Sequence, residues 1–490
     1  MVTKNTKKES RKKVKDQNQS IQFWTKTEES EKPTRCRIIE SKFIEFLSKS
    51  GFAKVMVNDS DYILVQEKNN VVIEIPIFII AEYVEDYLKK LKEFEVLETF
   101  TKGSPSYLSK AKLQFLKRVE PVKDRDGRTS SYFFFQNQLC KVDKDEIKNI
   151  PYAKFKGKIW ASRINEHEYT PPHHLSRGSM FEVFCANIAN NNGKRLLALK
   201  TNLGYLMHRY HDPANPRAII LMDEVINFDG TANGGTGKSL LLKGVEKMRE
   251  VVTMDGKNIK TKSWFKNQRI TRTTDVVFYD DVTTEFNMES LYSMITTGIP
   301  IERKQKAEEF IKPEDAPKIA ISSNYVVRGT GGNTDARRRC EFEVHNYYNL
   351  ENTPESEFGC IFFTGWDKLE WNKFFHFMMT CVKEYLTHGL IIAEPINLTN
   401  NTIVNNTSPE FYSFMEVIEE TDTWLDKREC QKLFHEEFPN MSDTSSHKFT
   451  KWLKAYATAK GYVYDDRSSG GKYSFILKTD KTRKEVNNAA

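Results

Sequence analysis

The sequence predicts an α/β core built on a parallel sheet, with an α+β region before it and a compact unit of helices and a hairpin after it. Three observations carry this expectation. Apolar strands alternate with helices over 216–345, helical and alternating patterns mix over 33–165, and two amphipathic helices lead into a glycine-turned hairpin over 410–478. A chain of 490 residues has room for several domains of ordinary size, about 100–200 residues each. Hydrophobic residues at 39% and aromatics at 12% supply real cores and exclude wholesale disorder.

Several classes drop out early. The longest apolar run, Val71 to Ala81, is interrupted by Glu74 and Pro76 and falls short of the ~20 residues a bilayer crossing needs. The amino terminus is a lysine run without an apolar core behind it, so no secretory signal is expected and the chain reads as intracellular. Cys36, Cys140, Cys185, Cys340, Cys360, Cys381 and Cys430 form no C-x-x-C pair, which argues against a zinc ribbon or a disulfide framework. Net charge is +7, of which residues 1–20 carry a surplus of five, so polyanion binding must come from this arm and from local patches.

The elements follow in order. Residues 1–20 read as a disordered basic tail and 21–165 as an α+β domain, with Lys42-Phe-Ile-Glu-Phe-Leu helical and Asp61-Tyr-Ile-Leu-Val-Gln and Tyr132-Phe-Phe-Phe as strands. A helical connector is expected over 166–215, from apolar spacing between Met180 and Tyr210. The α/β centre spans 216–350 and a Trp- and Phe-rich helical extension 351–394. Asparagines 397, 400, 401, 405 and 406 mark a linker over 395–408, a last compact unit spans 409–478, and 479–490 is a polar tail.

The chemistry concentrates in the centre. Ala232-Asn-Gly-Gly-Thr-Gly-Lys-Ser239 fits a phosphate loop, in which the backbone of Gly234, Gly235, Thr236, Gly237 and Leu240 would cradle phosphates. Lys238 would reach the β- and γ-phosphate oxygens, and Ser239 would ligate Mg2+ at the start of the next helix. Further along, Val276-Val-Phe-Tyr-Asp280-Asp281 reads as a buried strand ending in two acids, Asp280 lying forty-two residues past Lys238. Asp280 would hold the metal, and Asp281 would polarise the attacking water as general base. Pro317-Lys-Ile-Ala-Ile-Ser-Ser-Asn324 ends a third strand in an amide that can sense the γ-phosphate, and Arg337, Arg338 and Arg339 follow as candidates for an arginine finger. The competing readings are a chance glycine turn, a surface strand end and a structural ion cluster.

Taken in this order, the motifs between Ala232 and Arg339 resemble the compact AAA+-like P-loop ATPase of superfamily 3 helicases. More narrowly, they resemble the helicase half of phage, plasmid and poxvirus primase-helicases. The resemblance covers 216–390. It implies ATP and Mg2+ as cofactors, a homo-oligomer, by family a hexameric ring, single-stranded and forked DNA as partners, and a bacterial cytoplasm as the setting. Leu291-Tyr-Ser-Met-Ile-Thr-Thr-Gly-Ile-Pro-Ile-Glu-Arg303-Lys304-Gln-Lys306 is similar to the family's channel hairpin, so Arg303, Lys304 and Lys306 would grip strand phosphates. Two departures stand out: the strand at Arg217-Ala-Ile-Ile-Leu-Met ends early, so that either Val225-Ile-Asn-Phe leads the loop or residues are inserted, and Ala232 replaces a glycine. Among the arginines Arg338 is favoured as the finger, Arg337 next.

Over 410–478 the first helix is expected to bury Cys430, Leu433, Phe434 and Phe438, and the second Phe449, Trp452, Leu453, Tyr456 and Ala457. Lys448, Lys451 and Lys454 would face outward, with Arg467 and Lys472 on the hairpin, as in a DNA-binding winged helix. Asp59, Asp61, Asp124 and Asp126 form two D-x-D pairs that a primase could use, and His167, Glu168, His173 and His174 could ligate a metal; neither set has the supporting pattern. A separate primase is a possible partner. The rival functions are an ATP-regulated origin-binding initiator without unwinding and a monomeric P-loop kinase or GTPase.

Overall fold

The computed structural model describes residues 21–27, 35–56, 61–119, 126–172, 178–226, 235–259, 264–304 and 308–479. The basic tail over 1–20, Asp59, Asp124, His173, His174, Gly234 and Lys306 lie outside these. Two compact units emerge, Met1–Asp124 with Lys156–Ala161, and Arg125–Phe155 with Ser162–Ala490. In the first, helices Glu40–Lys49, Ile77–Leu91 and Phe94–Tyr107 share a core with Phe23, Phe52 and Ile75. Its largest sheet joins Phe52–Met56, Tyr62–Lys68, Val71–Glu74 and Ile159–Trp160. No helix among the described residues is long and apolar enough to cross a membrane.

The boundary expected at 165 differs from the one observed. Strands Ser130–Phe134, Leu139–Asp143 and Ile147–Ile150 belong to the second unit. Phe133, Phe135, Cys140 and Val142 pack into that unit's main core, where Phe135 lies 5.0 Å from Phe375. Local pattern cannot reveal this, because the partner helix is more than two hundred residues away.

The second unit is organised by five parallel strands: β1 (Ala218–Asp223), β2 (Val251–Asp255), β3 (Val276–Val282), β4 (Lys318–Ser323) and β5 (Arg339–Val344). Their spatial order is β2-β3-β4-β1-β5, so β4 separates the first strand from the acid-tipped third. Strands buried on both faces read as continuous apolar runs, and alternate residues part to two cores. Ile219, Leu221, Val276, Phe278, Ala320 and Phe342 join one; Ile220, Met222, Val277, Tyr279, Ile319 and Ile321 join the other.

On the first face lie α1 (Met180–Ile188), α2 (Gly193–Met207) and, from further along the chain, the aromatic-rich helix Lys368–His388. The helical run expected between Met180 and Tyr210 is thus two helices. Asn190 and Asn191 adopt left-handed conformations (φ 57° and 51°) between them, and Asn192 caps α2 by accepting from the Lys194 and Arg195 amides.

The predicted linker is also corrected. After α3 (Lys238–Glu246) and α4, as Lys368–His388 is numbered, α5 spans Leu398–Asn406. Its Leu398 packs on the second core of the sheet, while Ile403 is fully buried with the carboxy-terminal residues. The amides of Asn397 and Asn401 donate to the Glu224 carbonyl at 3.2 and 3.4 Å. Asparagines that compositionally suggest a loop here supply side-chain donors to a strap between two cores.

The last elements are α6 (Pro409–Ile418), α7 (Lys427–Glu437), α8 (Ser446–Lys460) and a three-stranded antiparallel sheet of Leu425–Asp426, Lys472–Lys478 and Val463–Ser469, in that spatial order. The expected core face of α8 is buried throughout, whereas Leu433 of α7 is 47% exposed, because Phe411 and Phe414 of α6 cover Phe434 instead.

Candidate nucleotide site

At the carboxyl ends of β1, β3 and β4 the polar side chains converge. β1 ends on the buried Asp223, so the leading strand is Ala218–Asp223 and Val225 belongs to the longer connection before the glycine loop. Gly235 and Gly237 take φ of 92° and 103°, and Gly237 delivers the chain into α3, whose first residue is Lys238. A side chain at such a φ would be strained. The first turn of a helix leaves N–H groups without intrahelical partners, a ready anion site.

Lys238 is 7% exposed. Its Nζ lies 2.5 Å from Asp223 Oδ1 and donates to Asn324 Oδ1 at 2.9 Å and Thr236 Oγ1 at 3.3 Å. Burial holds its ammonium below the ordinary lysine range, against the upward pull of Asp223, Asp281 and Asp280. Thr236 Oγ1 in turn donates to Asp223 Oδ1 at 2.6 Å. Leu240, expected among the phosphate-binding residues, turns its side chain into the core, which leaves only its backbone for that role.

Ser239 Oγ donates to Asp280 Oδ1 at 3.0 Å, and Ser322 Oγ donates to the same oxygen at 2.7 Å. Asp281 sits at a β-bulge, where the register of β3 against β4 slips between Tyr279 and Val282, and its φ is 57°. An L-residue in that region stores strain, which Asp tolerates better than most. The bulge turns the neighbouring carboxylates apart: Asp280 faces Ser239, while Asp281 Oδ1 accepts from Asn324 Nδ2 at 2.8 Å. Two contacts lock it, the Asp281 amide donating to Ser322 Oγ at 2.8 Å and Gly256, where a Cβ would come within 2.4 Å of the Asp280 carbonyl. Lys257 Nζ lies 2.6 Å from Asp281 Oδ2.

The residues present fit a metal–nucleotide. A hydroxyl and a carboxylate oxygen 3.0 Å apart offer hard donors suited to Mg2+, and buried Asp223 Oδ2 has no hydrogen-bond partner among the described residues.

The arginine cluster resolves into three environments. Arg339 is tied to Asp335, Glu341 and the Val327 carbonyl. Arg338, the favoured finger, is 9% exposed, donates to the Thr334 carbonyl at 2.8 Å and lies over the Tyr292 ring at 4.9 Å. Within this chain Arg338 is therefore covered by Tyr292. Arg337 is the exposed member.

Strands Ile299–Ile301 and Glu309–Ile311 pair as the expected hairpin. Arg303, however, is occupied within it, donating to Glu309 at 2.9 Å and to the Ile270 carbonyl at 2.7 Å, so it braces the hairpin; Lys304 is exposed. Lys448, Lys451 and Lys454 are exposed along α8, and Arg467 and Lys472 on the adjoining strands, Arg467 stacking over Trp424 at 4.0 Å.

The other candidates within the described residues have partners in the fold. Asp61 pairs with Lys110, His167 stacks on Trp371 at 4.1 Å, and Asp126 is enclosed by arginines. Among the described residues no cluster of His, Cys, Asp or Glu could hold a metal by itself. Sequence reasoning missed Asp223, Ser322, Gly256 and Lys257. An acid at the end of the leading strand was a readable signal for Asp223; nothing local marks the others.

No family model matches the chain, and no curated protein matches it. Among solved structures the chain is similar to the A form apo structure of the NrS-1 C terminal region, at 12% sequence identity and a TM-score of 0.35, over 71% of this chain and 96% of that one. A second structure of that region, covering 305-718, has the same identity and coverage and a TM-score of 0.33.

Proposed function

We propose that this protein is an ATP-dependent, ring-forming DNA helicase that serves the replication of a mobile element and translocates on single-stranded DNA. The observation that supports it most is the convergence of Lys238 and Ser239, at the start of α3, with Asp280, Asp281 and Asn324 at neighbouring strand ends, linked by hydrogen bonds of 2.8–3.0 Å. In this reading the sheet is the core of a P-loop ATPase of AAA+-like kind, and the carboxy-terminal helices with their small sheet are a winged helix.

Lys238 and the amides at the start of α3 bind the phosphates. Ser239 and Asp280 would hold Mg2+, which would neutralise phosphate charge when bound. Asp281 takes the proton of the attacking water, and Asn324, bonded to both Lys238 and Asp281, orients that base relative to the phosphate. Arg337 reaches the site of the next subunit, so the active form is an oligomer. Lys304 and the lysines of α8 bind strand phosphates without reading bases.

The test is ATP hydrolysis with and without single-stranded DNA, beside separation of a forked duplex, for wild type and Lys238→Ala. The helicase reading expects DNA-stimulated hydrolysis and strand separation, both reduced on the order of a hundredfold or more in the variant. Hydrolysis without strand separation identifies an origin-binding initiator instead, and hydrolysis independent of Lys238 sinks the nucleotide site.

A further inference from the structure

The geometry points to Asp223 as the residue that makes this site admit nucleotide only together with its metal. Asp223 is the counter-ion of Lys238 before nucleotide arrives, and it releases the lysine only when added positive charge takes its place. The inference rests on the crevice being a nucleotide site.

Three observations support it. Asp223 is 2% exposed and sits at the end of the strand that leads into the glycine loop. One of its oxygens meets Lys238 Nζ at 2.5 Å and Thr236 Oγ1 at 2.6 Å, while the other, also buried, has no hydrogen-bond partner among the described residues. A buried carboxylate left half-satisfied is destabilising, so the fold bears a cost to keep it beside the one lysine that must meet phosphate. Replacing it with a neutral acceptor would preserve the bond to Thr236.

The charge balance gives the consequence. Among the described residues Asp223, Asp280 and Asp281 stand against Lys238 and Lys257, a surplus of one negative charge. Metal-free ATP, itself strongly anionic, meets net repulsion there and must compete with Asp223 for Lys238. With Ser239 and Asp280 holding a divalent cation the sign of this charge sum would reverse, and Lys238 could then transfer from carboxylate to phosphate. Asp223 thus acts as a specificity-determining residue: it selects against free nucleotide and touches neither the water nor the leaving group.

The experiment measures the dissociation constant of fluorescent ATP in Mg2+ and in EDTA, for wild type, Asp223→Asn, Asp223→Glu and Lys238→Ala. Asp223→Asn is expected to tighten metal-free binding about tenfold or more and to shrink the ratio between the two conditions; Asp223→Glu keeps the wild-type ratio. An unchanged ratio in Asp223→Asn, or an equal weakening in both conditions, overturns the proposal, the latter identifying Asp223 as a pin for the loop. Should the asparagine variant fail to fold, Asp223→Ser answers the same question, since it also removes charge and retains an acceptor. Failure of wild type to bind in either condition, or binding by Lys238→Ala equal to wild type, rejects the nucleotide site itself, a result distinct from an unchanged ratio.

Discussion

The two ends of the parallel sheet both carry dense ionic clusters, and they differ in how much of each cluster reaches solvent. At the carboxyl ends, Asp223 keeps one oxygen without a partner, Asp281 is held at a left-handed φ, and Lys257 and Ser239 face solvent. At the amino ends the charges are enclosed. Asp126 accepts from the Arg209 amide at 2.8 Å, the Tyr132 amide at 2.9 Å and Ser131 Oγ at 2.5 Å, and also pairs with the guanidinium of Arg209. Arg249 donates to Ser131 Oγ and to the Met207 and Tyr132 carbonyls at 2.7–2.9 Å and stacks over Phe133 at 3.8 Å. Arg163 pairs with Asp275, and Lys318, the first residue of β4, donates to the Tyr205 and His208 carbonyls where α2 ends.

The contrast teaches how one sheet divides its work. Enclosed charges fix geometry, because moving any of them strands another in the interior. Those that reach solvent can meet a ligand. The same division separates neighbours in the chain: Arg338 is enclosed by Tyr292 and Thr334, and Arg337 is open.

The largest effect is expected from that last pair. Arg337→Ala should bind nucleotide but lose turnover in the oligomer by on the order of 10³ or more, as arginine fingers do. Arg338→Ala should chiefly lower the melting temperature and reduce turnover far less. Equal turnover in Arg337→Ala and wild type, measured on the purified oligomer, would break the assignment.

Next comes stability at the amino end. Asp126→Asn leaves Arg209 and Arg249 short of their carboxylate and should cost about 3–5 kcal/mol in denaturant unfolding. Burial works against the Asp126 charge, but Arg209 and Arg249 outweigh it and hold the carboxyl well below the usual range. A carboxyl depressed in this way adds stability above its unfolded value of about 3.9, and that stability drains away as pH falls below about 4. The acid-side slope of wild type should therefore flatten in the variant; an identical slope would show that the cluster is not the source.

The smallest effect concerns Lys318. Burial pushes its ammonium down to about 7, against the pull of Asp126. Between about pH 7 and 10 the unfolded chain then binds more protons at this position than the folded one, so stability should rise with pH. Lys318→Met should remove that rise, a difference of up to about 1.4 kcal/mol per pH unit. Parallel stability curves for the two proteins would place the lysine in the ordinary range.

Much of the site was legible beforehand because it follows from local constraints. A glycine loop needs its glycines in sequence, helix α3 must start where the loop ends, and strands buried on both faces must be apolar up to the acid or amide that tips them. Lys238, Ser239, Asp280, Asp281 and Asn324 could be named on that basis, and the structure brings them together. The burial of Arg338 has the opposite origin. Three consecutive arginines look alike in a sequence, and only the ring of Tyr292, more than forty residues away, distinguishes the middle one.

What the amino-acid order determined, then, is where apolar runs, turn residues and capping groups fall, since each depends on neighbours within a few positions. Tertiary structure decided which charges are spent and which are left available. Asp223 opposite Lys238, Lys257 opposite Asp281, Asp126 among its arginines and the Asn397 and Asn401 amides on Glu224 are all pairings across the fold. The physical reason is that a charged or amide side chain takes its role from whatever shares its low-dielectric surroundings, and those surroundings exist only once distant strands and helices have closed around it.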